Sequence, residues 1–280
     1  MGQEQSYIAF LSNDSYLEGV LVLHYSLQKT KPRFPFLVLA TPNVSHHVLN
    51  RLHANKIVVK VIEPIKNPAE ARTRSNWEST YSKLRIFEQR QFTKIVYLDA
   101  DMLICKNIDK LFDKPHMTAA DNRLPEFAHI VQFNTGLMVI EPDKVDARDL
   151  ISKVGKIEAA TGSATGSDEH FLHAYFPDWP KRQELHLDPK FNMFCMYLDR
   201  YHKVFGYRLI EDTDGASQED DEKLVSVIHY VPFKPWSHMP LPLLSWWTRR
   251  TVPNSSRGPL SGQALRLWRD FRQELQDSTR

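Results

Sequence analysis

The sequence predicts an α/β protein with a mostly parallel central sheet and helices on both faces. Three observations carry that expectation. Short apolar runs alternate with segments of helical periodicity through the first hundred residues, the signature of repeated βα units. The run Ile95-Val96-Tyr97-Leu98 is apolar without a break, which suits a strand covered on both faces. It stops at Asp99-Ala100-Asp101, and open α/β sheets hold their ligands at the carboxyl ends of strands.

The elements follow in order. Tyr7 to Leu11 predicts the first strand, broken by Ser12-Asn13-Asp14-Ser15, a cluster of helix-capping residues. Apolar positions from Tyr16 to Leu27 then recur at helical spacing. Phe34 to Ala40 predicts a second strand, Ser45 to Asn55 a helix with Val48, Leu49 and Leu52 on one face, and Ile57 to Ile62 a third strand. Glu63 to Trp77 is polar, holds Pro64 and Pro68, and reads as a loop long enough to be functional. Ser79 to Gln89 predicts a helix containing Lys83, and the run ending at Leu98 is the fourth strand. Met117 to Ala120 and Phe133 to Ile140 predict two more strands, and Val145 to Val154 a helix. Thr161 to Ser167 is a run of small residues that delivers Asp168-Glu169 to the start of a helix reaching about Tyr175. Gln183 to Phe205 is mixed and aromatic, and Glu211 to Glu222 reads as an acidic, solvated insertion. Leu224 to Tyr230 is the last expected strand. Val252 to Gly262 reads as a linker, and Ala264 to Leu275 as a helix with a stripe of Leu265, Trp268, Phe271 and Leu275.

Composition narrows the function. A chain of 280 residues with 42% hydrophobic and 25% charged residues is an ordinary globular sequence. A net charge of +2 with no basic block argues against nucleic acid as a partner. Two cysteines, Cys105 and Cys195, make neither a disulfide framework nor a zinc set, so a reducing compartment is expected. Residues 1–6 lack the apolar core of a leader. Gly2 and Ser6 match the myristoylation pattern, although a glycine after Met1 is common without it. No run approaches the ~20 apolar residues of a membrane span, so a cytoplasmic location is the expectation.

The acid pair carries the chemistry. Asp99 and Asp101 offer hard oxygen ligands from one turn, a set suited to Mg²⁺ or Mn²⁺ and, through the metal, to a phosphate-bearing substrate. His229, at a strand end, is the candidate third ligand, and a nitrogen donor would favour Mn²⁺. Lys234 and Lys83 could offset charge developing on a phosphate leaving group. Each residue also has a plainer reading: a polar turn, a structural histidine, exposed lysines. A phosphatase of the haloacid dehalogenase type also ends a strand in D-x-D, but here Met102-Leu103 follow the pair.

Six blocks in order resemble glycosyltransferase family 8, the group containing glycogenin and galactinol synthase. They are Ala9 to Tyr16 with Gly19 and Leu23; Tyr81 to Ile86 followed by Tyr97 to Asp101; Asn107 to Asp109 with Leu111 to Asp113; Phe133 to Gly136 with Glu141-Pro142; Asp168-Glu169; and His229-Tyr230 with Lys234-Pro235-Trp236. The resemblance covers about Tyr7 to Trp236. It implies a Rossmann-like nucleotide-diphospho-sugar transferase fold of the GT-A type, a UDP-sugar donor, Mn²⁺ or Mg²⁺, a hydroxyl acceptor and retention of anomeric configuration. By the same resemblance Ser12, Asn13 and Tyr16 hold the uridine side, and Asp99, Asp101 and His229 bind the metal. Lys234 meets the diphosphate. Lys83 and Arg74 reach donor phosphate or sugar, and Asn134 and Asp168 face the transferred sugar. Ala100, Thr135, Gly136 and Glu169 complete the donor site. Lys83 and Asp168 are the implied catalytic pair; whether Asp168 is a nucleophile or the acceptor attacks from the leaving-group side stays open.

Two departures stand out. Glu169 replaces the family's usual amide, and Pro232-Phe233 replace a glycine-bearing turn before Lys234. Met196-Tyr197-Leu198 with Lys203 to Gly206 resembles the acceptor segment of glycogenin; by that resemblance Cys195 stands where the self-glucosylated tyrosine would be, with Tyr197 nearby, so weak or no self-glucosylation is expected. A self-modifying primer and a nucleotide-sugar binder without turnover remain the competing readings. The expected organisation is one catalytic domain over residues 1–250, with residues 251–280 a linker and a packed C-terminal helix; a homodimer is a further expectation.

Overall fold

The computed structural model describes residues 4–67, 80–121, 124, 131–157, 167–209, 222–237 and 259–278. Its main sheet is built from β1 (Glu4–Leu11), β2 (Phe36–Ala40), β3 (Val58–Val61), β4 (Phe92–Leu98), β6 (Thr118–Asp121), β7 (Phe133–Ile140) and β8 (His186–Leu187). They lie in the order β3-β2-β1-β4-β7-β6-β8. Neighbours β3, β2, β1 and β4 run parallel, as do β6 and β8, while β7 is antiparallel to both β4 and β6. The mostly parallel α/β sheet expected from the sequence is therefore present.

Strand β4 shows why its sequence is apolar throughout. Successive side chains point to opposite faces of a sheet. Val96 and Leu98 enter one core layer with Leu23 and Leu27, while Ile95 and Tyr97 enter the other with Phe171 and Leu172. Helix α1 (Leu17–Lys29) and Val48 and Leu52 of α2 (His46–Ala54) cover the first layer. The second is covered by a 3₁₀ segment, Thr80–Glu88, with α3 (Ala147–Ser152) and α4 (Asp168–Tyr175). Each buried aliphatic side chain of β4 contributes roughly 1.5–3 kcal/mol. A one-residue slip would exchange its two faces, so the register that delivers Asp99 and Asp101 to the strand end is strongly fixed.

A second sheet, in the order β5-β10-β9, joins β5 (Met102–Ile104), β9 (Met193–Phe194) and β10 (Val227–His229). Its core includes Leu103, Met193 and Ile228, with Tyr201 from α5 (Leu198–Phe205) and Ala264, Leu267 and Trp268 from α6 (Pro259–Ser278). This small sheet brings His229 back to the acid pair: the register sets His229 opposite Met102, and the Tyr230 N–H donates to the Asp101 carbonyl at 2.9 Å.

Several elements differ in detail from expectation. The segment expected as an α-helix over 79–89 is 3₁₀ over Thr80–Glu88. Tyr81, Ser82, Lys83, Leu84, Ile86 and Phe87 are all buried, so the segment has no single apolar stripe to present. The near-threefold repeat of 3₁₀ aligns Tyr81, Leu84 and Phe87. The helix after Pro142 starts late because Asp146 caps it, accepting from the Arg148 and Asp149 N–H groups at 2.9 and 3.2 Å. Helix α6 starts at Pro259, earlier than expected, because Asp199 of α5 accepts from the Leu260 and Ser261 N–H groups at 3.0 and 3.1 Å. A cap supplied by another helix is invisible in local sequence. The expected insertion over 211–222, the small-residue run over 161–167, the linker over 252–262 and the loop over 63–77 lie wholly or largely outside the described residues.

Candidate metal and donor site

The site forms where β4 ends. Asp99 is anchored through its backbone N–H, which donates to the Gly136 carbonyl of β7 at 2.8 Å. Its Oδ1 accepts from the Tyr97 hydroxyl at 2.7 Å and lies 3.1 Å from Lys83 Nζ. Asp101 is buried; its Oδ1 lies 3.2 Å from His229 Nε2, and its Oδ2 accepts from Lys234 Nζ. His229 Nε2 lies 3.8 Å from Asp99 Oδ2. One ligand atom each from Asp99, Asp101 and His229 fall within 4.8 Å of one another. Two carboxylates and one imidazole make a mixed oxygen–nitrogen donor set that fits a divalent cation such as Mn²⁺ or Mg²⁺.

Beside this cluster, Lys83 is buried and bridges two acids. Its Nζ stands 3.1 Å from Asp99 Oδ1 and 3.1 Å from Asp168 Oδ2, donates to Thr135 Oγ1 at 3.2 Å, and lies 4.6 Å from the centre of the Tyr97 ring. Burial alone would lower its pKa, but Asp168 and Asp99 hold the ammonium above the ordinary lysine range. Burial likewise opposes charge on Asp101 and on Lys234. Contacts with His229 and Lys234 nevertheless keep the Asp101 carboxyl below its ordinary range, and Asp101 keeps Lys234 raised.

Asp168 opens α4, whose first turn Ser167 caps by accepting from the His170 N–H at 3.2 Å. Asp168 is buried and accepts from Thr135 Oγ1 at 3.0 Å. Glu169 Oε2 accepts from Asn134 Nδ2 at 2.7 Å and from the Thr135 N–H at 3.3 Å. Burial, and then the neighbouring Asp168, push the Glu169 carboxyl up to about 7. An acid at this position therefore changes charge near neutral pH, where an ordinary carboxyl is fully ionised.

A hydrogen-bonded series runs behind this cluster. His229 Nδ1 meets Asn192 Oδ1 at 2.8 Å, Asn192 Nδ2 donates to Asn134 Oδ1 at 2.8 Å, and the Gly136 N–H donates to the same oxygen at 2.9 Å. Asn192 is buried, at the end of the 3₁₀ turn Pro189–Phe191.

The α1 end of the site is packed against the same residues. Asn13 accepts from the Ser15 N–H at 3.0 Å and donates to Ser12 Oγ at 3.2 Å, shaping the turn that leads to Tyr16 and α1. The Tyr16 ring meets Trp236 edge-on at 5.7 Å, and Lys234 Nζ lies 6.0 Å from its centre. Gly19 faces the Ala100 carbonyl and the Trp236 ring; a Cβ there would come within 2.4 Å of the first and 2.6 Å of the second.

The fold thus gathers Asp99, Asp101, His229, Lys83, Asp168, Asn134, Thr135, Gly136, Glu169 and Lys234 into one contiguous network, with Tyr16 and Ala100 at its rim. Ser12 and Asn13 stand at the end of β1, engaged with their own turn. Arg74 lies outside the described residues. Asn192 and Tyr97 are the contacts that sequence reading left unassigned.

The model of the family described as "Glycosyl transferase family 8" matches residues 7–239. The chain belongs to that family. Among family 8 relatives, it is 31% identical over 259 residues to inositol phosphorylceramide glucuronosyltransferase 1 of Arabidopsis thaliana, covering 88% of this chain and 44% of that protein. It is 28% identical over 242 residues to human glycogenin-1, covering 84% and 63%. The chain therefore spans less than two thirds of the length of these relatives. Among solved structures, a galactosyltransferase, LgtC, in complex with donor and acceptor sugar analogues superimposes with a TM-score of 0.60 at 19% identity, covering 92% of this chain and 95% of that one. At that identity the likeness speaks for the GT-A fold alone. Among the described residues, no helix is long and apolar enough to cross a membrane.

Proposed function

We propose that this chain is a retaining hexosyltransferase that moves a sugar from a UDP-sugar to the hydroxyl of a separate acceptor, with Mn²⁺ as the resident metal. The observation that carries this reading is the meeting of Asp99, Asp101 and His229 at the end of β4, one lysine away from Asp168. When bound, the metal would neutralise charge on the departing diphosphate. The chain's own residues do the rest. Lys234 supplies a second positive charge at Asp101, placed to move onto a diphosphate oxygen. Lys83 ties the metal side to the sugar side and keeps Asp168 oriented through Thr135. Asp168 then faces the electron-poor anomeric carbon, as nucleophile or as stabiliser of an oxocarbenium-like centre.

A neutral hexose suits the site better than a uronic acid. The two cations of the described site, Lys83 and Lys234, already face carboxylates, and Glu169 adds an acid. UDP-glucuronate nevertheless belongs in the test, because the Arabidopsis relative is a glucuronosyltransferase by name. Self-glucosylation near Cys195 is disfavoured by burial: Cys195 and Tyr197 are both covered, and Cys195 Sγ lies 3.8 Å from the Ser261 carbonyl of α6. Mass spectrometry after incubation with UDP-glucose and Mn²⁺ is expected to show no hexose on Tyr197. We also read residues 1–250 as one catalytic domain on which α6 packs. Tyr25 of α1 donates to Glu274 at 3.2 Å and Arg272 pairs with Glu18 at 2.6 Å, which supports that reading. The test of function is a donor screen: UDP-glucose, UDP-galactose, UDP-N-acetylglucosamine and UDP-glucuronate, assayed for Mn²⁺-dependent hydrolysis. Turnover of a neutral sugar supports the proposal, and turnover of UDP-glucuronate alone replaces its donor.

A further inference from the structure

We infer that Asn192 is a positioning residue for the metal: it decides which nitrogen of His229 is free to bind it. The inference rests on the metal reading of the Asp99, Asp101 and His229 cluster, and it follows from the direction of four hydrogen bonds.

Amide oxygens and nitrogens can usually be exchanged without changing the shape of a side chain, so the direction of an amide bond needs an independent anchor. Here the backbone provides one. The Gly136 N–H can only donate, and it points at Asn134 Oδ1 from 2.9 Å. Asn134 therefore presents its oxygen to Gly136 and its NH₂ to Glu169 Oε2, at 2.7 Å. The oxygen has room for a second donor, and Asn192 Nδ2 fills it at 2.8 Å. The Asn192 oxygen is then the atom left to face His229 Nδ1, at 2.8 Å. An oxygen with no proton demands an N–H opposite, so Nδ1 carries the proton.

The consequence falls on Nε2. Two carboxylates lie near it, Asp101 Oδ1 at 3.2 Å and Asp99 Oδ2 at 3.8 Å. On that side alone, a neutral imidazole would place its single proton on Nε2, pointing at the acids and blocking the metal. Asn192 opposes this by giving the proton a partner on the far side of the ring. The lone pair is then held at Nε2, between the two carboxylates, where a cation completes the set. Metal-bound histidines characteristically donate their other N–H to such a partner. Three of these bonds lie end to end, with the Gly136 bond anchoring the middle one, so Glu169, on the sugar side, and His229, on the metal side, are fixed by one series of amides.

The experiment compares Mn²⁺ affinity, without nucleotide sugar, in the wild type, Asn192→Leu and Asn192→Asp, by electron paramagnetic resonance of free Mn²⁺. Leucine keeps the volume and removes the acceptor; affinity is expected to fall by roughly 10–100-fold, the range for removing such a partner. Aspartate keeps an acceptor for Nδ1–H but gives up the donor to Asn134, so its affinity is expected to stay within about threefold of wild type by the same argument. A purely structural role would weaken both variants alike, and that result overturns the inference. So does an unchanged affinity in Asn192→Leu. A wild type that binds no Mn²⁺ overturns the metal reading beneath it. A second reading uses ¹¹³Cd²⁺ and ¹⁵N-labelled histidine, with His229 assigned by its loss in His229→Gln. Coupling of the metal to Nε2 with a proton on Nδ1 is expected, and coupling to Nδ1 contradicts the inference.

Discussion

Gly136 and His229 fit together only because Gly136 lacks a side chain: a Cβ on Gly136 would stand 2.5 Å from His229 Cε1 and 2.9 Å from Nδ1. The same Cβ would come within 2.8 Å of Asn134 Oδ1. Gly136 is thus the floor on which the imidazole rests. Gly136→Ala must tilt the ring or push β7 back from it. The expected result is at least a tenfold loss of Mn²⁺ affinity, in the range seen when a ligand's support is removed, about 10–100-fold. Titration of the folded variant by electron paramagnetic resonance measures it; wild-type affinity would show that the ring tolerates the displacement.

Lys83 stands between Asp99 and Asp168, and its charge is the partner each acid would miss. Lys83→Met keeps the length of the side chain and leaves the two carboxylates facing each other across a buried space. Removing one member of a buried ion pair typically costs about 3–5 kcal/mol. Urea unfolding of the metal-free variant at neutral pH is expected to show a loss of that order. A loss under about 1 kcal/mol, the value of an exposed pair, would mean that solvent reaches the site more freely than its burial indicates.

Glu169 gives the stability a pH dependence of known sign. Its folded-state carboxyl, pushed up to about 7, holds its proton more tightly than the unfolded chain does. That contribution is fully present below the unfolded value near 4.5 and is lost as pH rises through about 7. Between pH 5 and pH 8.5 the wild type should therefore lose stability relative to Glu169→Gln, on the order of 2–3 kcal/mol. Glutamine can still accept from Asn134 and Thr135, so the comparison isolates the charge. Parallel stability–pH curves for the two proteins would refute this.

Gly19 lets α1 approach the acid turn. A Cβ there meets the Ala100 carbonyl, which is backbone, as well as the Trp236 ring. Trp236 lies 5.7 Å from Trp268 of α6, so it has little space in which to retreat. Gly19→Ala is expected to destabilise the protein by about 1–3 kcal/mol, as overpacking does. Chemical denaturation checks it. A neutral or stabilising result would mean that Trp236 swings away at low cost.

The site was legible in the sequence where it rests on strand ends. Asp99, Asp101 and His229 follow apolar runs whose burial on two faces leaves few places for a polar residue to point. The helix beginning at Asp168 was legible from the run of small residues and the acidic pair that open it. Asn192 was not, because a polar residue on a one-turn 3₁₀ segment belongs to no periodic pattern, and its partners lie 37 and 58 positions away. Gly136 could be marked from its motif, but the reason for it is a ring on another sheet. Strand β5 is three residues long, too short for alternation to register. The α6 start escaped because Asp199 supplies its cap from another helix.

The central claim is that Asp99, Asp101 and His229 hold a divalent metal that in turn holds the diphosphate of a sugar donor. Calorimetric titration of UDP into the wild type and Asp101→Asn, each with and without Mn²⁺, tests it most directly. The account predicts that UDP binds the wild type at least tenfold more tightly with Mn²⁺ than without, and that Asp101→Asn removes this dependence. UDP affinity that is the same with and without Mn²⁺ in the wild type would contradict it.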